Sequence, residues 1–137
     1  MNYEWNSSIA TGIELIDNQH KELITKINIL LNNCENKTTQ EELTQSIDFL
    51  TEYTIKHFFD EEQLQKKYEY PDYPNHKKMH EDFKNTIRNF KVDLIMKGAS
   101  DQLIDDVHKK IGGWLVNHIK GQDILLGNYI KKKMAAS

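Results

Sequence analysis

The sequence is poor in the residues that interrupt regular structure. Its 137 residues include two prolines, six glycines and one cysteine, and both prolines, Pro71 and Pro74, fall in one short segment. Such sparse helix breakers, together with abundant Leu, Ile, Lys and Glu, indicate an all-α chain. The single cysteine, Cys34, cannot form an internal disulfide, and its place in an apolar pattern is typical of a small buried side chain.

Long hydrophobic runs and an excess of positive charge are also absent. No apolar stretch approaches the roughly 20 residues that a membrane-spanning helix needs, and the N-terminus lacks the basic and apolar regions of a signal peptide. The net charge of −3 gives no electrostatic basis for binding nucleic acid or an anionic membrane. We therefore expect a soluble, cytoplasmic protein, a monomer for which no particular protein partner is indicated.

Apolar residues recur three and four positions apart in four segments, which predicts four amphipathic helices. We expect them at residues 13–35, 40–66, 76–97 and 101–120, the last followed by a short helical tail. A turn at 36–38 separates the first two helices, Thr39 and Ser100 are expected to cap the second and fourth, and a proline-containing loop precedes the third. Short connections predict an antiparallel, up-down-up-down four-helix bundle, preceded by an N-terminal arm.

Polar side chains occupy core positions in all four helices, in the rows of residues that face the bundle interior. They are five histidines and one glutamate: His20, His57, Glu61, His76, His80 and His118. In an up-down-up-down bundle the start of helix one, the end of helix two, the start of helix three and the end of helix four lie level. These side chains are therefore expected to converge in one layer, whereas the sixth histidine, His108, falls off its row and is expected at the surface.

Convergence of this kind points to a metal site. Buried polar groups without partners cost about 1–3 kcal/mol each, which a domain stable by roughly 5–15 kcal/mol cannot absorb several times over. Imidazole and carboxylate are both good ligands for first-row metals. Asp123 follows His118 by five residues, about 140° around an ideal helix. It can join the site only if the helix is widened or distorted near Gly121, and an exposed aspartate is the alternative.

Four stretches of the sequence resemble the hemerythrin family, and within it the single-domain bacterial type. They are IDNQHKEL around His20, HFFDEE around His57, HKKMH at 76–80 and WLVNHIKGQD around His118. The resemblance covers essentially the whole chain and implies a single hemerythrin-like domain over residues 1–137, including the N-terminal arm. Each of the family's seven ligand positions is filled by the expected residue type: His20, His57, Glu61, His76, His80, His118 and Asp123.

The resemblance implies a non-heme di-iron centre with two iron ions per chain. One iron would be held by His76, His80 and His118, and the other by His20 and His57. The two carboxylates and a solvent-derived oxo or hydroxo group would bridge the pair. Two octahedral irons bound in this way would keep one open position, on the iron with two histidines, and dioxygen can bind there.

The function that the resemblance implies is reversible dioxygen binding, for storage, delivery or scavenging, with O2 held as a hydroperoxide on one iron. Leu115, one turn before His118, matches a leucine that lines the family's oxygen pocket, although its spacing fits plain core packing equally well. The protein is not expected to be an enzyme, although weak peroxidase activity is compatible with this ligand set. The alternatives are an oxygen, nitric oxide or redox sensor and a di-iron peroxidase-type enzyme.

Two other kinds of metal site fit the sequence less well. Ferritin-like di-iron enzymes use four carboxylates and a pair of Glu-x-x-His motifs, and this motif does not occur in the sequence. A structural zinc site uses four tetrahedral ligands, which is fewer than the candidate residues provide.

Overall fold

The computed structural model describes residues 3–36 and 38–136, and within these ranges the chain is helical without any β-strand. A short 3-10 turn at Ser7–Ile9 precedes three long helices: α1 over Glu14–Glu35, α2 over Gln40–Lys67 and α3 over Tyr73–Lys97. The predicted turn at 36–38 includes Lys37, which lies outside the described residues. The third helix begins three residues before the predicted start because Pro74 fits its first turn, where the missing N–H needs no partner.

The fourth helix, α4, covers residues 101–136 and changes its winding along the way. It is α-helical at Asp101–Asp106, Trp114–His118 and Ile124–Ala136, and π-helical at Val107–Gly113 and Ile119–Asp123. The predicted helix at 101–120 and its short helical tail form one continuous helix. The segment around Gly121 widens into a π-turn instead of ending the helix, so the backbone stays helical as far as Ala136.

Side chains cap two helices as the sequence predicts. The Thr39 hydroxyl accepts a hydrogen bond from the Glu42 N–H at 3.1 Å, and the Ser100 hydroxyl accepts one from the Leu103 N–H at 3.1 Å. Each bond satisfies one of the N–H groups that the first turn of a helix leaves without a partner. These caps fix the starts of α2 and α4 and therefore the register of both helices.

The four helices form an antiparallel bundle, which confirms the predicted fold class. Each of the first three helices packs against the next one in the chain, and α4 packs against both α3 and α1 to close the bundle. One end of the interior is filled by aliphatic side chains, and we call it the apolar end; its core includes Leu30, Cys34, Leu43, Ile47 and Leu94. None of the described helices has the length and apolar character of a membrane span.

The N-terminal arm lies along α1. The Tyr3 N–H donates to Asn28 Oδ1 at 2.9 Å, and the Asn28 amide donates back to the Tyr3 carbonyl at 2.8 Å. Further along the arm, the Lys21 ammonium lies 4.4 Å from the centre of the Trp5 ring, a cation–π contact. The arm therefore packs against α1 and also contacts α4, where the Tyr3 hydroxyl donates to the His108 carbonyl at 3.4 Å.

Candidate metal centre

A single buried layer at the other end of the bundle contains every residue that the sequence nominates as a metal ligand. Each of these side chains belongs to a residue that is at most 5% exposed. We call this group the polar layer: His20, His57, Glu61, His76, His80, His118 and Asp123.

Regular helical spacing places the side chains that α2 and α3 contribute. His57 and Glu61 on α2 are four residues apart, as are His76 and His80 on α3, and residues at this spacing lie on the same helix face. The antiparallel order then brings the end of α2 level with the start of α3. Each helix therefore presents two adjacent ligand-type side chains to the interior at the same height.

A π-turn brings the aspartate of α4 into the layer. His118 ends an α-helical segment, and Asp123 ends the π-helical segment Ile119–Asp123 that follows it. Because a π-turn bonds residues five apart, both side chains face the same side, and His118 Nε2 lies 3.1 Å from Asp123 Oδ1. The distortion that the sequence requires near Gly121 is therefore confirmed.

The two oxygens of Glu61 face different histidines. Its Oε1 lies 2.8 Å from His76 Nε2 and 3.3 Å from His80 Nε2. Its Oε2 lies 3.1 Å from His57 Nε2 and 3.9 Å from His20 Nε2. The carboxylate thus stands between two groups of imidazoles and turns one oxygen towards each.

Asp123 divides its oxygens in the same way. Its Oδ1 lies 3.1 Å from both His76 Nε2 and His118 Nε2, whereas its Oδ2 lies 2.9 Å from His20 Nε2. Potential ligand atoms accordingly form two sets, each with its members within 4.8 Å of one another, and both carboxylates belong to both sets. One set adds His76, His80 and His118 to the carboxylates, and the other adds His20 and His57.

The short distances within the layer are not a hydrogen-bond network. His20 Nε2, His80 Nε2 and both Glu61 oxygens are buried and have no hydrogen-bond partner with acceptable angles. His76 Nε2 and His118 Nε2 approach to 3.1 Å, although both are nitrogens of the same kind. Nitrogen and oxygen lone pairs therefore converge on shared points, which is the arrangement that a metal cation requires. The residues of the layer fit bound metal.

The two buried carboxylates of the layer also favour positive charge beside them. Burial by itself lowers the pKa of His76, but the close approach of the Asp123 and Glu61 carboxylates outweighs burial and raises it to about 10. The same carboxylates raise the pKa of His20 against its burial. Burial and repulsion from Asp123 would raise the pKa of Glu61, yet the close imidazoles of His57, His76 and His80 lower it. The carboxylates thus favour protons on His76 and His20, and metal cations would replace these protons.

Two further polar residues, not expected from the sequence, contact the Nδ1 atoms of histidines in the layer. Gln19 Oε1 lies 2.7 Å from His57 Nδ1, and Glu62 Oε2 lies 2.8 Å from His80 Nδ1. The only sequence signal for Gln19 is that it precedes a core histidine, and for Glu62 that it follows a core glutamate. Residues of these types at such places usually face solvent.

Aromatic rings fix two of the imidazoles in place. The Phe58 ring stacks on His80 with centroids 3.7 Å apart and an interplanar angle of 2°. The Trp114 ring stacks on His118 with centroids 4.7 Å apart, and Phe83 stacks on the Trp114 ring at 4.3 Å. These contacts restrict the ring orientations and surround the layer with apolar surface.

Two further residues from the sequence analysis lie outside the layer. Leu115 is buried in the apolar core that also includes Phe58 and Ile119, a position that suits both packing and a pocket wall. His108 is only half-buried, and its Nε2 lies 3.2 Å from Glu35 Oε1 near the end of α1. It is separate from the polar layer, as expected, but it pairs with a neighbouring helix.

A four-helix bundle whose helices all contribute histidine or carboxylate to one buried layer defines a class of helical metal-binding proteins. Within this class, the sequence matches the family described as hemerythrin HHE cation binding domain over residues 11–129. The chain belongs to the hemerythrin family. The hemerythrin domain binds non-heme iron, and the polar layer is the cluster of this chain that could hold the metal.

Individual relatives agree with this assignment. The chain is 33% identical to a bacteriohemerythrin of Pseudomonas paraeruginosa, over 87% of this chain and 75% of that protein. It is 33% identical to a myohemerythrin of Theromyzon tessulatum over 88% of each. The fold superposes on the crystal structure of a wild-type hemerythrin with a TM-score of 0.83, at 26% identity over 93% of this chain and 97% of that one.

Proposed function

We propose that the protein binds dioxygen reversibly at a non-heme di-iron centre held by the polar layer. The observation that carries this proposal is the pair of ligand sets that share Glu61 and Asp123 but differ in their number of histidines. With both carboxylates common to the two metals, the set of His20 and His57 offers one protein ligand fewer. An iron bound on that side would be left with a position for an external ligand.

When bound, a pair of ferrous ions supplies the two electrons that reversible dioxygen binding needs, and the chain controls their surroundings. The imidazoles direct Nε2 towards the centre of the layer, so these lone pairs serve as the proposed ligands. Glu61 and Asp123 each direct one oxygen to either side, which keeps the two metal positions together. The buried side chains around them, with Leu115 as a proposed pocket residue, exclude water and protect the reduced state.

The ligand chemistry favours oxygen binding over oxygen activation. The layer contains two carboxylates among seven candidate ligands, so it carries little negative charge. Anionic ligands stabilise ferric and higher oxidation states, and a site poor in them is better suited to returning to the ferrous state. Dioxygen is therefore the proposed partner, and release without net oxidation is the proposed outcome.

The test is the visible absorption spectrum of the iron-loaded chain, recorded after anaerobic reduction, after exposure to air and after degassing. We expect two irons per chain and a visible band that appears in air and disappears on degassing. A band that decays to a stable spectrum and does not return after degassing would contradict reversible binding and favour a redox or enzymatic role.

Matched variants of α2 complete this test. Glu61→Gln keeps the side-chain size but removes a carboxylate shared by both sets, so we expect it to lose the band. Glu52→Gln makes the same chemical change at an exposed position of the same helix. We expect the Glu52→Gln protein to bind and release oxygen as the unaltered chain does.

A further inference from the structure

Two histidines of the polar layer have Nδ1 partners of different charge. His57, which belongs to the set with two histidines, has its Nδ1 2.7 Å from the amide oxygen of Gln19. His80, which belongs to the set with three, has its Nδ1 2.8 Å from a carboxylate oxygen of Glu62. Gln19 is 4% exposed and Glu62 is 8% exposed, so water competes little for either bond.

Hydrogen bonds from the surface fix the orientation of the Gln19 amide. Its Nε2 lies 2.8 Å from Asp60 Oδ2, and Lys56 Nζ lies 3.1 Å from the same oxygen. An ionised carboxylate only accepts hydrogen bonds, so the amide nitrogen of Gln19 must face Asp60. The amide oxygen is then left for His57, whose Nδ1 must carry the proton. The Nε2 of His57 is then the nitrogen that faces the interior and is left to bind metal.

Glu62 orients His80 in a similar way. Its carboxylate accepts a hydrogen bond from His80 Nδ1, so Nε2 is the nitrogen left to bind metal on the side of the layer. Both histidines are therefore held in the tautomer that binds metal through Nε2. They differ in charge, however, because an amide oxygen is neutral and a carboxylate is anionic. A carboxylate behind a metal-bound imidazole makes it a stronger electron donor.

We propose that Gln19 and Glu62 are positioning residues that make the two metal positions unequal, with the His80 side stabilised as ferric and the His57 side easier to keep ferrous. This inference rests on the proposed function in requiring a redox-active metal pair in the layer. The more easily reduced metal position is then the one on the His57 side, where the protein offers one ligand fewer.

The reduction potential of the iron-loaded chain, measured by spectroelectrochemistry, tests the charge effect. Glu62→Gln keeps a hydrogen-bond acceptor but removes the charge behind His80, so we expect the potential to rise. The opposite change needs two substitutions, because a glutamate at position 19 would repel Asp60 and take up a proton. The double variant Gln19→Glu with Asp60→Asn transfers one negative charge from position 60 to position 19, which contacts His57 directly, and it leaves the net charge unchanged. We expect it to lower the potential relative to Asp60→Asn alone.

Exposed positions of α2 provide the controls for these potentials. Glu52→Gln removes one negative charge and Gln63→Glu adds one, both at the surface. We expect either control to shift the potential much less than its buried counterpart. Shifts of opposite sign at the two buried positions support the inference. Equal shifts in the control and buried variants, or no shift in the buried ones, would overturn it, because a purely structural contact changes thermal stability but not the potential.

Binding of Co²⁺ to the metal-free chain tests the positioning effect without any redox step. Gln19→Leu and Glu62→Leu remove the hydrogen bond to Nδ1, and we expect each to lower the Co²⁺ affinity about ten- to a hundredfold. Unchanged affinity in both would contradict the positioning role. If the chain binds two irons but does not take up oxygen reversibly, only the proposed function is overturned. The reduction potential and the Co²⁺ affinity can still be measured on such a chain. Failure of the unaltered chain to bind iron or Co²⁺ would overturn both proposals.

Discussion

The two ends of this bundle are built on the same helical rows but filled in opposite ways. In α2, the interior positions of the first half are Leu43 and Ile47, whereas those of the second half are His57 and Glu61. All four side chains are buried, and all repeat at helical spacing. One heptad-like pattern therefore specifies the fold at one end and a layer that could hold metal at the other.

The difference shows in how the buried groups are satisfied. The apolar end buries aliphatic surface, which stabilises the bundle without any added partner. In the polar layer, several nitrogen and oxygen atoms are buried without a hydrogen-bond partner. This end depends on protons or metal cations to balance its carboxylates. Stability and function are thus separated along the bundle axis, and the two ends should respond differently to the same kind of perturbation.

The largest expected effect is the loss of metal when a shared carboxylate is neutralised. Glu61→Gln removes a ligand that belongs to both sets, so we expect the affinity for Co²⁺ to fall by more than about a hundredfold, beyond the effect typical of an outer contact. Competition with a chelator measures it. The bundle should stay folded, since the change also removes a buried charge. Metal affinity close to that of the unaltered chain would show that Glu61 is not a shared ligand.

A cavity at the apolar end should lower the stability of the bundle and leave metal binding unchanged. Ile47 is fully buried, so Ile47→Ala is expected to lower the free energy of unfolding by about 2–5 kcal/mol. Chemical denaturation measures this loss, and metal analysis of the same sample should give an unchanged metal content per folded chain. A variant that loses its metal while it remains folded would contradict the separation of the two ends.

The metal-free chain should lose stability in alkaline solution. The pKa of His76 is raised from 6.5 to about 10, so its contribution is complete below about pH 6.5 and fades as the pH rises towards 10. We expect the free energy of unfolding to be at least about 1 kcal/mol lower at pH 9.5 than at pH 6.5. Denaturation with and without bound metal measures this, because cations replace the protons. Equal pH dependence of both forms would argue against a shared site.

The smallest expected effect concerns an amide beside the layer. Gln65 is fully buried on α2, one turn after Glu61, and neither polar atom of its side chain has a hydrogen-bond partner. Gln65→Met keeps the size and removes the unsatisfied amide, so we expect a gain of about 1 kcal/mol in stability. Gln63→Met at the exposed neighbouring position is the control. A loss of stability or a changed metal affinity would show that the amide serves the layer.

Most of the fold and the positions of the candidate ligands could be predicted because both depend on spacing. Interior residues three and four apart define α1, α2 and α3, and the antiparallel order alone places their histidines level. The π-turn before Asp123 could be expected only on the condition that Asp123 joins the layer, because the five-residue gap after His118 places it off the interior row of a regular helix.

The remaining features depend on contacts that spacing does not encode. The π-helical segment Val107–Gly113 falls where interior residues keep an ordinary three- and four-residue spacing, so the sequence contains no signal for it. Gln19 and Glu62 are polar residues next to interior positions, a pattern that usually means a solvent-facing side chain. Only the packing of α1 against α2 and of α2 against α3 shows that both bond to histidines.

We propose that one buried layer holds two metal ions that share two carboxylates. The most direct measurement is a crystal structure of the iron-loaded chain, with diffraction recorded on both sides of the iron absorption edge. We expect two anomalous peaks per chain, each within bonding distance of both Glu61 and Asp123, with three histidines at one peak and two at the other. A single peak, or two peaks that do not share these carboxylates, would contradict it.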